Sequence, residues 1–430
     1  MSLELVVNKN IHKDRSWTLD VYRAGGGYRQ AARAIKEMSP ESLIDLVTAS
    51  DLKGRGGAFF PTGMKWKFVR ADKNVPRYVV ANGDESEPGT FCNRFTLELD
   101  PHLFIEGMIV AAYAVDSHQA FIYIRGEFGL AIERVRAALA DCYRAGILGK
   151  NVLDSGYSLD VILRRGAGAY ICGEETALFN SLQGMRGNPR FKPPFPTNSG
   201  VWYHPTVINN IETYACVPSI LEKGADWFKS LGRGDQNAGT KVYCLSGRVR
   251  NPGVYELPLG VTARELIFEY GGGVPEGHTL KGFKPGGASA AVLSAVEVDV
   301  QLDPSIARLG TIMGTGGCIV MDDTVCMVDA AYRDALFFEE ESCGFCIPCR
   351  EGTSAIVEIV ERIMHGQGQM SDLDLLKQIG HSMDGSFCAF GQFAYRPVVG
   401  AAERFRDEFA AHIQGSCPAG VCPLGSGVPA

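Results

Sequence analysis

Arg77-Tyr78-Val79-Val80-Ala81-Asn82-Gly83-Asp84-Glu85-Ser86-Glu87-Pro88-Gly89-Thr90 is the stretch whose reading decides the first half of the chain. Tyr78 to Ala81 is a short β-branched run and Asn82 opens a polar loop, the layout of a strand whose C-terminal end carries ligand groups. The segments around it alternate. HLFIEGMIVAAYAV (102–115) reads as a buried helix, QAFIYIRG (119–126) as a strand, and LAIERVRAALADCYRAG (130–146) as an amphipathic helix closed by Gly146. LDVILRRGAGAYICGEETALFNSL (159–182) then reads as strand, glycine loop and helix. Strand alternating with helix predicts an α/β layered sheet of Rossmann-like type.

Upstream, the pattern predicts a short helix over Gln30 to Glu37 that ends near Ser39-Pro40, where proline disfavours continuation. Leu43, Ile44, Leu46 and Val47 repeat at helical spacing and lead into the glycine-rich segment KGRGGAFFPTG (53–63). Downstream, the prolines of RFKPPFPTNSG (190–200) favour an extended loop, and a helix from Val207 to Leu221 is expected to close the domain.

The character changes near Thr240. KVYCLSGRVRNPGVYELPLGVTARELIFEYGGG (241–273) reads as two strands around an Asn-Pro-Gly turn, followed by a helix with Thr262 as its N-cap, a separate α+β unit. From Val328 onward EGTSAIVEIVERIM, DLDLLKQIGHSM and VVGAAERFRDEFAAHI have the period of a helical bundle. The expected boundaries are 1–239, 240–329 and 330–415, with residues 416–430 as a flexible tail rich in Gly, Pro and Ser.

A chain of 430 residues with 46% hydrophobic and 21% charged residues and a net charge of -7 has no bias toward nucleic acid. No apolar stretch reaches the roughly 18 residues needed to span a bilayer, and the start lacks a secretory apolar run, so a cytoplasmic location is expected. Thirteen cysteines are too sparse for a disulfide scaffold. Closely spaced thiols therefore need a metal explanation.

Glu341-Ser342-Cys343-Gly344-Phe345-Cys346-Ile347-Pro348-Cys349-Arg350 sets three thiols at intervals of three, and Cys388 in GSFCAFG is a fourth. Three thiolates on one tight loop plus a distant one is the ligand count of a four-iron cubane. A helix starting near Glu351 and the charge of Arg350 would offset the negative cluster. A four-cysteine zinc site and unligated core thiols are the competing readings. Cys92, Cys142, Cys172, Cys216, Cys244, Cys318 and Cys326 sit among apolar residues and read as packing. Cys417 and Cys422, in CPAGVC, read either as metal ligands shared with a partner chain or as an unused pair.

Gly54 to Gly63 has the glycine density that lets backbone amides approach a phosphate or a flat ring, with Lys65 nearby, and a plain structural turn is the lesser alternative. Asp84, Glu85 and Glu87 read as acceptors for ribose or ribityl hydroxyls or for amide N–H groups, or as a solvated acidic loop. Gly166 to Thr176 follows the same logic, with Tyr170 as ring and hydroxyl and with Glu174 and Glu175 as acceptors at a helix start.

Taken together, GRGGAFFPTGMKW, NGDESEPGT, RGAGAYICGEETAL, RFKPPFP, PTVINNIET, SGRVRNPGVYELPLG and ESCGFCIPCREGT resemble the NADH-binding flavoprotein subunits of respiratory complex I. Similar chains serve NAD-linked hydrogenases and formate dehydrogenases, and the resemblance spans Gly54 to Ile413. It implies an FMN-binding α/β domain, a ubiquitin-like β-grasp domain and a helical bundle with one 4Fe-4S cluster on Cys343, Cys346, Cys349 and Cys388. It implies FMN contacts from Gly54, Arg55, Gly56, Gly57, Lys65, Asn82, Asp84, Tyr170, Gly173, Glu174, Asn209, Asn210 and Thr213. For NADH it implies Phe60, Phe68, Glu87, Glu175, Lys192 and Phe195. One residue departs from the family motif: Phe59 stands where Gly-Ala-Gly-Phe carries its second glycine. If that glycine is needed for positive φ or close approach, the ring costs on the order of 1 to 3 kcal/mol and obstructs the nucleotide.

The expected function is that of an NADH dehydrogenase component that takes hydride onto FMN and passes single electrons to the cluster, with quinone reduction downstream. No side chain need act as acid or base, and Glu87 and Glu175 are expected to tune the flavin electrostatically. Expected partners are a thioredoxin-like subunit with a 2Fe-2S cluster and a larger iron–sulfur subunit, which would place the chain peripherally on the cytoplasmic face of the inner membrane. The alternative is a diaphorase subunit of a soluble hydrogenase or formate dehydrogenase. A redox-inert, metal-stabilised interaction subunit is the reading from a different class.

Overall fold

Tyr78–Gly83 (β1), Gln119–Ile124 (β2), Asp160–Arg165 (β3) and Thr206–Asn210 (β4) form an all-parallel sheet in the order β3-β2-β1-β4. The structure is a computed structural model and describes residues 4–70, 75–422 and 424. Registers are continuous: Val80 lies opposite Phe121 and Ile208, and Ile122 opposite Leu163. β1 and β2 are buried along almost their whole length, as expected of parallel strands covered on both faces. The helix Pro101–Ala114 is buried on nearly every side, which explains why it reads as apolar rather than amphipathic.

The strand order matters for function. The chain runs outward from β1 to β2 to β3 and then returns to the other side of β1 as β4. That reversal falls between β1 and β4, whose C-terminal ends are the usual ligand position in open α/β sheets.

These elements belong to one compact unit, residues 1–86, 91–243 and 256–260; the other comprises 87–90, 244–255 and 261–430. The expected 240–329 and 330–415 segments thus lie mostly in one unit. Its sheet joins Thr240–Gly247 (β5), Gly253–Pro258 (β6), Leu280–Lys284 (β7), Leu293–Ser294 (β8) and Gly317–Asp322 (β9) in the order β6-β5-β9-β7-β8. β5 and β9 are parallel, while β7 pairs antiparallel with both β8 and β9. Thr262 caps as expected: its Oγ1 accepts from Glu265 N at 3.2 Å while its own N donates to Glu265 Oε2 at 2.9 Å. The helices Met327–Glu340, Ile347–Met364, Met370–Met383 and Arg396–Arg404 pack together in this unit.

One expectation fails at Val207. Thr206–Asn210 is a strand, and the helix begins only at Ile211 and runs to Lys223. β1 supplies a parallel partner for Thr206 to Asn210, and the Asn210 side chain then accepts from Glu212 N at 2.9 Å to start the helix.

Asp100 gives the fold a pH dependence. It is fully buried, accepts from Asn10 Nδ2 at 2.8 Å, and burial, outweighing that bond, raises its pKa to about 7. The folded chain therefore holds this proton where the unfolded chain has released it, so this group's contribution to stability declines as pH rises from about 4 to about 7. Urea unfolding across that range is expected to show the decline, and Asp100→Asn to lessen it, since Glu106, Glu85 and Glu256 are raised by burial as well. Identical slopes in both proteins would remove Asp100 as its source.

Candidate functional sites

Because all four strands of the first sheet are parallel, Asn82-Gly83, Ile124, Arg165 and Asn209-Asn210 end on one edge. The glycine-rich loop is fastened over the β4 end. Arg55 N donates to Thr213 Oγ1 at 2.8 Å, Lys65 Nζ to Ile208 O at 2.8 Å, and Trp66 Nε1 to Asn209 Oδ1 at 3.1 Å. A Cβ on Gly56 would sit 3.1 Å from the Asn210 Cβ, so only glycine allows this approach without displacing a neighbour.

At the β1 end, Asn82 Nδ2 donates to Gly173 O at 3.0 Å and Asn82 Oδ1 accepts from Asp84 N at 3.0 Å. A Cβ on Gly173 would lie 3.5 Å from Asp84 Oδ2, and one on Gly166 would lie 2.9 Å from the Tyr123 hydroxyl. Gly54, Gly56, Gly57, Asn82, Asp84, Gly173, Asn209, Asn210 and Thr213 are thus gathered along one edge, and the half-buried Tyr170 begins the short turn Tyr170–Gly173.

Charge is arranged on the same rim. Lys192 Nζ bridges Glu174 Oε1 at 2.8 Å and Glu175 Oε1 at 2.6 Å. Burial opposes the Lys192 charge, but Glu175 and Glu174 outweigh it and its pKa is raised. Lys65 has the opposite balance: the protein packed around it lowers its pKa, Glu175 acts to raise it, and Lys192 lowers it further. Glu174 has a second task, since its Oε2 caps the helix Glu175–Leu182 by accepting from Thr176 N at 2.8 Å and Ala177 N at 2.9 Å. Phe60, Phe68 and Phe195 are 42, 49 and 54% exposed, a high value for large rings and one suited to stacking against a planar ligand.

Several acidic and basic residues also make structural contacts. The Glu85 carboxylate is buried and accepts from Asn93 N at 2.8 Å and Arg94 N at 2.9 Å, capping the helix Cys92–Leu99, so it is not a solvated loop residue. Glu87 belongs to the other unit, where Oε1 accepts from Ser289 N at 2.6 Å and Ser289 Oγ at 2.8 Å. The Arg55 guanidinium is 1% exposed, lies over the Phe228 ring and donates from Nη2 to Ala238 O at 2.6 Å; Nε and Nη1 have no hydrogen-bond partner among the described residues.

Arg125 does not stand out in the sequence. It follows β2 and donates from Nη1 to Glu85 O at 2.7 Å, supporting the acidic loop from the next strand. A charged residue directly after the run Ala120 to Ile124, which lacks any charge, was the available signal.

Phe59 has φ of +52°, a left-handed conformation. The backbone at this position therefore does take the shape that favours glycine, and the half-buried Phe59 carries the strain of it.

The cysteine motif lies in the other unit. Cys346 is the N-cap of the helix Ile347–Met364, Cys349 is buried in its first turn, and Cys388 is the N-cap of Ala389–Ala394. The Phe345 and Phe387 rings meet edge to face with centroids 5.3 Å apart, tying the two cysteine loops together. Gly344 turns with φ of +70°, and Arg350 Nη1 donates to Gly344 O at 3.1 Å. Burial, reinforced by the Cys346, Cys388 and Cys343 thiols and opposed by Ser342, pushes the Cys349 thiol up to about 12.

The surroundings fit a bound anionic cluster. Cys346 and Cys388 each stand at a helix N-terminus, where the partial positive charge of the helix favours a bound anion. The buried Ser386 Oγ has no partner among the described residues, and it and the Cys349 Cβ would lie 2.4 and 2.9 Å from a Cβ on Gly391.

Residues 47–219 match the Nuo51 FMN-binding domain, 242–292 the SLBB domain, and 329–412 the NADH-ubiquinone oxidoreductase-F iron-sulfur binding region. The chain is 47% identical over 413 residues to the NADH-quinone oxidoreductase F subunit 2 of Rhizobium meliloti (strain 1021), covering 96% of this chain and 98% of that one. The chain belongs to the F-type family of NADH-quinone oxidoreductase subunits. Within this family, the Streptomyces coelicolor protein is 47% identical, with 94% of this chain and 90% of that one covered. The HndC subunit of the NADP-reducing hydrogenase of Solidesulfovibrio fructosivorans is 43% identical, with 94 and 83% covered. Among solved structures, a NAD+-reducing [NiFe]-hydrogenase in the H2-reduced state matches with a TM-score of 0.80 at 36% identity over 87% of this chain. The present chain spans 62% of that hydrogenase chain's length. The family carries an FMN-binding domain and a four-iron region, and these fall on the two sites described above. No helix among the described residues is long and apolar enough to cross a membrane.

Proposed function

We propose that this chain is the electron-input subunit of an NADH dehydrogenase, in which NADH gives hydride to FMN at the sheet edge and electrons leave singly through a 4Fe-4S cluster. The observation that carries this reading is the parallel edge β3-β2-β1-β4 with three loops of small residues converging on it. FMN supplies the change from two-electron to one-electron chemistry that the side chains lack. The residues at that edge bind and orient: Gly54, Gly56, Gly57, Gly173 and Asn210 admit close approach, and Lys65 offers a cation to a phosphate. Phe60, Phe68 and Phe195 offer flat surfaces to a nucleotide, with Lys192 held between Glu174 and Glu175.

Cys343, Cys346, Cys349 and Cys388 hold the cluster in this reading, and a thioredoxin-like 2Fe-2S subunit and a larger iron–sulfur subunit of a quinone-reducing complex receive the electrons. The complex places the chain at the cytoplasmic face of the inner membrane. The 240–329 segment is read as a β-grasp domain, supported by the hairpin β5-β6, the following helix and the parallel pairing of β5 with β9. The hydrogenase likeness supports a second reading, a diaphorase subunit of a soluble NAD-linked hydrogenase. Purifying the chain with its native partners separates the two. Flavin and iron–sulfur absorption are expected in either case, and a quinone-reducing membrane arm among the partners only in the first. Absence of bound flavin would overturn both.

Two substitutions test the rim. Phe59→Gly removes a side chain from a left-handed position and is expected to tighten NADH binding several-fold; equal affinity in both proteins would show that the ring does not obstruct the site. Glu175→Gln removes a negative charge beside Lys65 and Lys192, and the flavin midpoint potential is expected to rise. An unchanged potential would remove Glu175 as a tuning residue. Glu87 remains proposed for the same role.

A further inference from the structure

Four side chains far apart in sequence, and outside the iron–sulfur motif, converge in the helical unit. Cys326, His412, Cys417 and Cys422 present Sγ, a ring nitrogen, Sγ and Sγ that all lie within 4.8 Å of one another. Cys326 and His412 are 2 and 0% exposed, and the other two are half-buried. We propose that these four residues form a structural zinc site that fastens the segment after Ile413 to the helices Met327–Glu340 and Arg406–Ile413.

The spacing is that of one tetrahedral ion. With Zn–S near 2.3 Å and Zn–N near 2.0 Å, tetrahedral geometry sets sulfurs about 3.8 Å apart and sulfur to nitrogen about 3.6 Å apart. The structure has Cys326 Sγ 3.5 Å from Cys422 Sγ and 3.4 Å from His412 Nε2. A four-iron cubane takes one thiolate at each iron corner and would spread its ligands further.

The surroundings prepare each ligand for a cation. His412 Nδ1 lies 2.8 Å from Glu408 O, a contact that requires the proton on Nδ1 and leaves the Nε2 lone pair facing the sulfurs. Cys326 is the N-cap of the helix Met327–Glu340, and Asp329 N donates to its Sγ at 3.5 Å, which holds the sulfur in position beside His412. Cys417 and Cys422 are brought round by a turn in which Gly420, with φ of +68°, donates from N to Cys417 O at 3.0 Å. The chain is reversed onto the preceding helix by Gly415, with φ of +83°, and by Ser416 N donating to Ala411 O at 2.9 Å.

Three thiolates and one imidazole complete four-coordination from this chain alone. No partner chain is needed to finish the set, and no position is left open for substrate, which is the pattern of a structural rather than a catalytic ion. Soft sulfur ligands with one imidazole in this geometry favour zinc over magnesium or calcium. The site is independent of the flavin reading, because none of its ligands belongs to either cofactor site.

The test is elemental analysis of the full chain purified with its partners, without chelators, from cells grown with zinc. One zinc per chain is expected beside the iron of the cluster. The double variant Cys417→Ser/Cys422→Ser should lose that zinc while keeping its iron content, flavin and NADH–ferricyanide turnover. His412→Cys, which preserves a four-ligand set, should keep the zinc, so loss of metal through misfolding is distinguished from loss of a ligand. Zinc below about one-fifth of an equivalent in the unaltered chain, an extra iron in its place, or a Cys417–Cys422 disulfide by mass spectrometry would each overturn the assignment.

Discussion

Cys349→Ser is expected to strip the iron–sulfur cluster from the assembled protein while leaving the flavin in place. Cys349 is buried in the first turn of the helix Ile347–Met364, electrostatically coupled to Cys343, Cys346 and Cys388. A serine oxygen is a harder, poorer ligand for iron than thiolate, and with a short side chain on a packed helix it cannot move closer to compensate. Loss of a supporting group around a metal already costs about 10- to 100-fold in affinity, and loss of a ligand costs more. The iron content of the assembly should therefore fall by about four per copy of this chain. Electron delivery to acceptors reached through the partner subunits should fall on the order of 100-fold or more. NADH–ferricyanide turnover, which draws electrons at the flavin, should stay within about twofold. Retention of iron and of partner-linked turnover would remove Cys349 from the ligand set. Loss of flavin as well would show that the two sites do not fold independently.

Lys241→Met is expected to destabilise the chain by about 3 to 5 kcal/mol, because it leaves Glu212 as a buried charge without its cation. Lys241 Nζ lies 2.6 Å from Glu212 Oε2, with the two side chains 0 and 2% exposed. Nζ also donates to Val242 O at 2.6 Å, and Glu212 Oε1 accepts from Val242 N at 2.9 Å. This pair anchors the start of the helix Ile211–Lys223, where Glu212 N donates to Asn210 Oδ1 and Asn209 and Thr213 receive Trp66 and the glycine-rich loop. The loss should therefore appear twice, as a lower urea midpoint and as weaker FMN retention on dilution. The double variant Lys241→Met/Glu212→Gln removes both charges and should recover a large part of the stability, since a neutral buried pair leaves no unpaired ion. A single variant as stable as the unaltered chain would mean that Glu212 is solvated or protonated in the fold.

Glu85 and Glu174 show the limit of reading function from acidic loops. Both lie among glycines, both resemble ligand acceptors in sequence, and both cap helices in the structure. A carboxylate one to eight residues before a helix is chemically suited to either task, and only the path of the backbone assigns it. Thr206–Asn210 is a similar case. The short segment Thr-Val-Ile-Asn-Asn fits strand or helix alone, and the parallel partner β1 resolves it.

By itself the sequence determined whatever depends on local spacing: the strand and polar loop at Tyr78, the amphipathic helices, the thiol motif at Cys343, Cys346 and Cys349, and the departure at Phe59. Tertiary structure alone decided what depends on residues distant in the chain. It set the order β3-β2-β1-β4, which collects four strand ends on one edge, and it set the pairing of Lys241 with Glu212. It also brought Cys326 and His412 beside Cys417 and Cys422. Cys326 and His412 carry no spacing signal, because their ligand geometry arises only when two helices and a turn converge.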